Sequence, residues 1–302
     1  MNRLWINFVS LLFTAFTGLA CALLVAAVAL ILGDIVYHGV HHVSWVFLSA
    51  APRAGMTEGG IFPAIFGTAV LVLLMTVAVV PLGVSTAIYL QEYAPPRSRW
   101  VHVVRMAIQN LAGVPAIVFG LFGLGFFIEF VGKGLDKFFF DNTLYLGQPA
   151  ILWAALTLAL LTLPTVVVAT EEALRVVPRN HREVAYSLGA TRWQMVRHVL
   201  LPQAVGGILT GTILAVSRGA GEVAPILFTG AAYYLPTLPT RLNHQFMELG
   251  YHVYVMATQS PDVDATMPIL YATVLVLLSL TFTLNFAAII IRSRIRRRLS
   301  AG

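Results

Sequence analysis

Apolar and polar positions alternate along this chain in long blocks rather than in the short rhythm of a soluble fold. Six apolar stretches run over about residues 8–36, 62–90, 107–130, 149–170, 203–227 and 268–291. At about 1.5 Å of rise per residue, each is long enough to cross roughly 30 Å of hydrocarbon as a helix. The pattern predicts an all-α, polytopic membrane protein of about six transmembrane helices. The first stretch exceeds the roughly 7–15 apolar residues of a cleaved secretory signal, so it reads as a retained span. Residues 1–61 then form an N-terminal helix with an outer loop, 62–291 a membrane core, and 292–302 a basic tail.

Composition agrees with the pattern. The chain is 58% hydrophobic and 11% charged, against roughly 25% charged in soluble domains. A net charge of +6 raises the question of nucleic acid, and the placement of the arginines answers it. An even number of spans puts both termini on one side. That side carries Arg3, three arginines between Arg97 and Arg105, five between Arg175 and Arg197, and five between Arg292 and Arg298. The opposite loops carry only Arg53, Lys133, Lys137 and Arg241. The positive-inside rule therefore assigns both termini and the 171–202 loop to the cytoplasm, with the tail against lipid headgroups and no nucleic-acid partner. Cys21 is the single cysteine and lies in an apolar run, which excludes an intrachain disulfide.

Helix breakers fall in four spans, at Pro81, Gly113-Val-Pro115, Pro164 and Pro225. Each alone is a kink; together they favour a moving or cavity-lined bundle. The 171–202 loop is polar and well punctuated. Asn180 followed by Glu183 predicts a short helix over about 181–188, and Gly189 ends it in the left-handed conformation. Thr191 followed by Gln194 predicts a capping box opening a second helix to Leu201.

That loop carries a resemblance. Glu183, Ala185, Gly189, Val199, Leu201 and Pro202 fit the coupling-loop signature of ABC importer permeases, with Val184 where alanine is usual. Tyr89-Leu-Gln-Glu-Tyr93-Ala-Pro, Gly113-Val-Pro-Ala-Ile-Val-Phe-Gly120, Thr170-Glu-Glu-Ala-Leu-Arg175-Val-Val-Pro178 and Ser217-Arg218-Gly-Ala-Gly-Glu222-Val-Ala-Pro225 resemble the phosphate-specific transport permeases, the A-type subunit in particular. The likeness covers about residues 60–290. It implies a type I ABC importer permease fold in a bacterial cytoplasmic membrane. It also implies three partners: a dimer of cytoplasmic ATPase subunits that uses ATP and Mg, a second, C-type permease chain, and an external phosphate-binding protein. This chain itself binds no cofactor on that reading. Consistently, the nearest approach to a phosphate-binding loop for ATP, Gly132-Lys133, is followed by Gly134 and has Phe127 where the first glycine belongs.

The candidate chemistry sits in the fifth span, where Arg218 and Glu222 lie four apart amid apolar residues. An ionisable group at the bilayer centre costs on the order of 2.5–3.5 kcal/mol, and two opposite charges one turn apart offset each other. Such a pair either lines a solute pathway or locks helices together. The pathway reading is adopted for Arg218, Glu222 and Ser217, because a planar guanidinium presents five donors to an oxyanion. Phosphonate, sulfate and molybdate would suit the same group. An intramembrane phosphatase would need a histidine with a carboxylate, and His102 and His198 have no motif around them. His38, His41 and His42 read as an interfacial cluster rather than a metal site. Glu92 reads as the end of the second span, and Asp136, Lys137 and Asp141 as solvated loop charges. No catalytic and no metal-binding residue is expected.

Overall fold

A computed structural model describes residues 3–53, 56, 58–95, 98–139, 144–260 and 262–300. Pro96, Arg97 and Asp141 lie outside the described residues, as do the side chains of Arg3, Arg296 and Arg298. The first long helix, α1 (Arg3–Gly39), is continued by a tight turn at Val40–His42. A short α2 (Trp45–Ser49) and a two-residue antiparallel hairpin, β1 (Pro52–Arg53) with β2 (Glu58–Gly59), lead into α3 (Phe62–Ile88). A π-helical turn, Tyr89–Tyr93, prolongs α3, and α4 (Arg99–Leu111) follows. The chain then rises through α5 (Ala116–Phe122), a π-helical stretch over Gly123–Gly132, and α6 (Lys133–Phe139). It returns along α7 (Ile151–Val176) and turns through α8 (Arg179–Ser187) and α9 (Arg192–Met195). A second π-helical turn, Val196–Leu200, opens directly into α10 (Leu201–Gly219). An irregular segment reaches α11 (Leu249–Gln259), and α12 (Val263–Ser300) ends the fold.

Among the described residues, six helices are long and apolar enough to cross a membrane: Val9–His42, Phe62–Tyr93, Ala116–Phe139, Ile151–Val176, Arg192–Gly219 and Val263–Ile295. The third is displaced from the expected 107–130. Polar Arg105, Gln109 and Asn110 make α4 amphipathic, and the Gly113-Val-Pro115 break separates it from the span proper. The fifth ends earlier than the expected 227, at Gly219. Pro81 and Pro164, by contrast, lie inside unbroken helices.

Packing centres on α3, α7 and α10, whose buried Leu71, Met75, Leu158, Val166 and Ala215 share one apolar core with Ile226 and Phe246. Gly207 and Gly211 of α10 lie directly against Ala173 and Ala169 of α7, where any side chain on either glycine would collide with the alanine methyl. Without a hydrophobic drive between helices in lipid, such small residues let dispersion and close backbone approach hold them together. On one flank α1 packs against α12, and α12 in turn against α10 and α11.

Asp136 corrects the expectation of a solvated loop charge. Its carboxylate is buried and accepts from the backbone N–H groups of Tyr145, Leu146 and Gly147 at 2.9, 2.7 and 2.7 Å. It ties α6 to the loop that enters α7, satisfying donors that the turn would otherwise leave open. Lys137 remains on the same short helix.

Candidate functional site

The candidate residues fall in two regions, one at the end of the bundle that holds α8, called the coupling end after the expected role of its loop, and one halfway through it. At the coupling end, α8 begins at Arg179 behind Pro178 rather than behind Asn180, so the expected side-chain cap is absent. Proline there supplies a preset φ without needing to donate. The helix stops in a Schellman arrangement: Gly189 N–H donates to the Tyr186 carbonyl at 2.9 Å and Ala190 N–H to the Ala185 carbonyl at 3.0 Å. Gly189 has φ +81°, as the motif requires. The capping box is present as read: Gln194 N–H donates to Thr191 Oγ1 at 3.3 Å, and Thr191 N–H to Gln194 Oε1 at 2.8 Å. The second helix does not stop at Leu201 but runs on into the fifth span. Pro202 offers no N–H to the ladder and crowds the carbonyl four residues back, which accounts for the widened π turn just before it.

The six signature residues divide by exposure. Ala185 is buried against Leu174, Val177, Met195, Val196 and Leu200, so a small side chain is required there. Val199 and Leu201 pack at the edge of the same cluster, and Pro202 is half-buried. Glu183 and Gly189 face outward, beside exposed Val184, Leu188 and Trp193. The projection therefore presents apolar and acidic groups while its inner face is anchored to α7.

Glu92 does stand at the end of the second span, and there it is nearly buried in the π turn that ends α3. It accepts from Arg182 of α8 at 2.8 Å through Nη2 and at 3.4 Å through Nε. Arg105 of α4 likewise donates to Glu171 of α7 at 3.2 Å and to the Leu90 carbonyl at 2.9 Å. The sequence shows these charges but not their pairing, since 90 residues separate Glu92 from Arg182.

In the middle of the bundle, Gly219 lies against the Met75 thioether. Met75 is the fourteenth residue of a 32-residue span, about 20 Å along it. The helix α10 therefore ends level with the middle of α3, and the chain continues from Ala220 to Gly230 as turns and irregular backbone. Non-helical backbone at that depth is tolerated where it is buried in protein or faces water. Arg218 occupies the last helical turn, where a cation meets the negative end of the helix dipole. Its Nε donates to Glu222 Oε1 at 3.3 Å, no hydrogen bond to either Nη group is made by the described residues, and its side chain is 41% exposed. Glu222 lies beyond the helix end, so the expected pairing holds although the expected helical segment does not. Ser217 is turned elsewhere: its hydroxyl donates to Asn285 Oδ1 of α12 at 2.6 Å.

The same face of α10 is mostly polar or small, with exposed Leu214 as the exception, and continues past the helix end to Gly221. Gln203, Gly206, Thr210, Leu214, Arg218 and Gly221 follow one another at intervals of three and four, none of them buried, and nothing approaches the Cβ positions of Gly206 or Gly221. At the coupling end this face opens into a cavity of about 310 Å³ between α10 and Arg292 of α12. Of the histidines, His38 pairs with Asp34 at 3.0 Å and lies against Tyr271, and His198 Nδ1 lies 3.2 Å from the Gln194 carbonyl of its own helix.

Residues 79–300 match the family described as binding-protein-dependent transport system inner membrane component. The chain is 31% identical over 265 residues to the "Probable ABC transporter permease protein YqgI" of Bacillus subtilis (strain 168), covering 83% of this chain and 85% of that one. It is 33% identical over 249 residues to the phosphate transport system permease protein PstA of Xylella fastidiosa (strain Temecula1), covering 80% and 78%. Among solved structures it superposes on a chain of a bacterial alginate ABC transporter, crystallised with an alginate-bound periplasmic protein, with a TM-score of 0.68 at 18% identity over 98% and 99% of the two chains. At that identity the likeness concerns the fold, which is that of a type I ABC importer permease.

Proposed function

This chain belongs to the family of binding-protein-dependent transport system inner membrane components, and we propose that it is the permease subunit of an ATP-driven importer of inorganic phosphate. The observation that carries the substrate class is Arg218. A guanidinium stands at mid-membrane, at the end of a broken helix, on a surface that the described residues of this chain leave open. Facing lipid, it would be strongly unfavourable; facing an aqueous route shared with a second permease chain, it supplies a fixed donor for an anion. Phosphate near neutral pH carries one to two negative charges and several acceptor oxygens, which a guanidinium engages in a bidentate fork. Glu222 holds Arg218 while the route is empty and yields it to the passing anion. Relatives named as phosphate transport permeases support phosphate among the oxyanions.

In this reading the exposed side of α8, with Glu183, Val184 and Leu188, docks on a dimer of cytoplasmic ATPase subunits, which bind and hydrolyse ATP with Mg. Both termini lie in the cytoplasm, a C-type permease completes the route, and an external phosphate-binding protein delivers the solute. The test is radiolabelled phosphate uptake in cells whose own copy is replaced by Arg218→Gln. Uptake should fall by one to two orders of magnitude, about 1.4–2.8 kcal/mol of lost stabilisation, with the protein still inserted and still bound to its ATPase. Normal uptake by that variant, or competition by excess sulfate as strong as by phosphate, would sink the reading.

A further inference from the structure

Arg182 and Glu92 belong to no part of the proposed anion route, yet they form the tightest polar junction at the coupling end. The guanidinium projects from α8 and makes four hydrogen bonds: two to Glu92, one from Nη1 to the Val177 carbonyl at 2.8 Å, and one from Nη2 to the Leu174 carbonyl at 2.9 Å. The two side chains are only 18% and 8% exposed. Arg182 thus caps the last carbonyls of α7 and holds the end of α3 at the same time. A neighbouring contact repeats the linkage, with the Arg192 guanidinium 5.5 Å from the centre of the Tyr93 ring. Residues 92 and 93 lie in the π turn that ends α3, a geometry that departs from the regular ladder and often marks a functional position.

From that turn α3 runs about 26 Å to Met75, which packs on Gly219 beside Arg218. The helix is continuous through Pro81 and is the chief partner of α7, so a displacement of its end is carried along its axis rather than absorbed by a loop. We propose that the Glu92–Arg182 pair is a positioning joint that passes movement of α8 to α3, and through Met75 and Gly219 to the mouth of the route at Arg218. The inference rests on the permease reading above, in which α8 is moved by an ATPase. A salt bridge this far withdrawn from solvent holds its geometry where an exposed pair would not. Breaking it leaves α8 anchored by its apolar face, through Ala185, Met195 and Leu200, but removes the rigid link to α3.

The test uses the whole importer, purified with its ATPase subunits and reconstituted in lipid vesicles, and reads motion instead of transport. Cys21→Ser removes the single thiol, and Gly221→Cys places a reporter beside Arg218 where the structure has open space. Labelling by a membrane-impermeant maleimide is compared with and without ATP and vanadate. Nucleotide should change the labelling rate several-fold in this background. Glu92→Gln and Arg182→Lys should each abolish most of that change while the ATPase subunits still co-purify, and Glu92→Asp should restore part of it. Three results would overturn the joint: a nucleotide response that survives in both variants, a background in which nucleotide changes nothing, or loss of the ATPase subunits from both variants, which would make the pair a mere support for the docking surface. Because no phosphate enters the measurement, an error in the assigned substrate leaves this result readable.

Discussion

Glu248 is held by opposing demands. As the cap of α11 it accepts from the N–H groups of Gly250 and Tyr251 at 2.8 and 2.6 Å, which favours its charged form. It is also only 2% exposed, and burial outweighs the cap, raising its pKa from 4.5 to about 7. One turn on, His252 is equally buried, its Nδ1 has no hydrogen-bond partner among the described residues, and burial lowers its pKa from 6.5 to about 4. The two have opposite linkage. A raised carboxyl pKa means that the folded chain binds more protons than the unfolded one, so its contribution falls by about 3 kcal/mol as pH rises from 4.5 to 7. A lowered imidazole pKa does the reverse: its contribution rises by a similar amount as pH climbs from 4 to 6.5. In the intact chain the two nearly cancel. The expected outcome is a flat thermal stability between about pH 5 and 6.5, and a Glu248→Gln variant whose Tm climbs with pH across that window. Melting curves of the detergent-solubilised protein check it, and a flat profile in the variant would refute the opposed pair.

The turn signals within elements were legible in the sequence where they act over three or four residues. The Thr191–Gln194 box and the left-handed Gly189 stand where their local chemistry puts them. Nothing crowds the Gly189 Cβ position, so a side chain there is opposed by the backbone conformation alone, at roughly 1–2 kcal/mol. Gly189→Val should therefore loosen the join between α8 and α9 and weaken capture of the ATPase subunit in a pull-down, whereas Gly189→Asn, which tolerates the left-handed region, should retain it. Equal capture by both would show that the Schellman stop is dispensable. What could not be read are features decided at long range. Apolarity continues past Gly219 through Val223 and Ile226, so periodicity extends the helix, whereas the helix stops at Gly219 and Ile226 packs with Phe246 in the core. Likewise Glu92 is legible as the end of its span but not as the partner of Arg182, and Asp136 looks solvated until residues 145–147 close on it. The Gly207 and Gly211 spacing was present in the chain, but only the alanines opposite show that it is a packing seam.

At the scale of the whole molecule, the buried trio of α3, α7 and α10 contrasts with the flank. The most apolar windows of the first and last spans have none of their residues buried within this chain. Apolar residues there, such as Leu11, Phe16, Leu24, Phe282 and Phe286, are exposed on this chain, as suits a lipid-facing surface. The open face of α10 is different, since lipid cannot satisfy Arg218 there, and this asymmetry supports the proposed pairing with a second permease chain. Orientation follows from charge at the same scale. The α8 end gathers Arg99, Arg105, Arg175, Arg179, Arg182, Arg192 and Arg197, while the far end has few cations, and the proposed cytoplasmic placement of α8 rests on that asymmetry. Gly134 on α6 and Ser187 on α8 lie at opposite ends, both exposed, and Gly134 has room for a side chain. In a Cys21→Ser background, Gly134→Cys should react with an impermeant thiol reagent in intact cells, and Ser187→Cys only after the membrane is opened. The reverse pattern would put the coupling projection outside, where no ATPase could reach it, and the charge-based orientation and the importer mechanism would fall together.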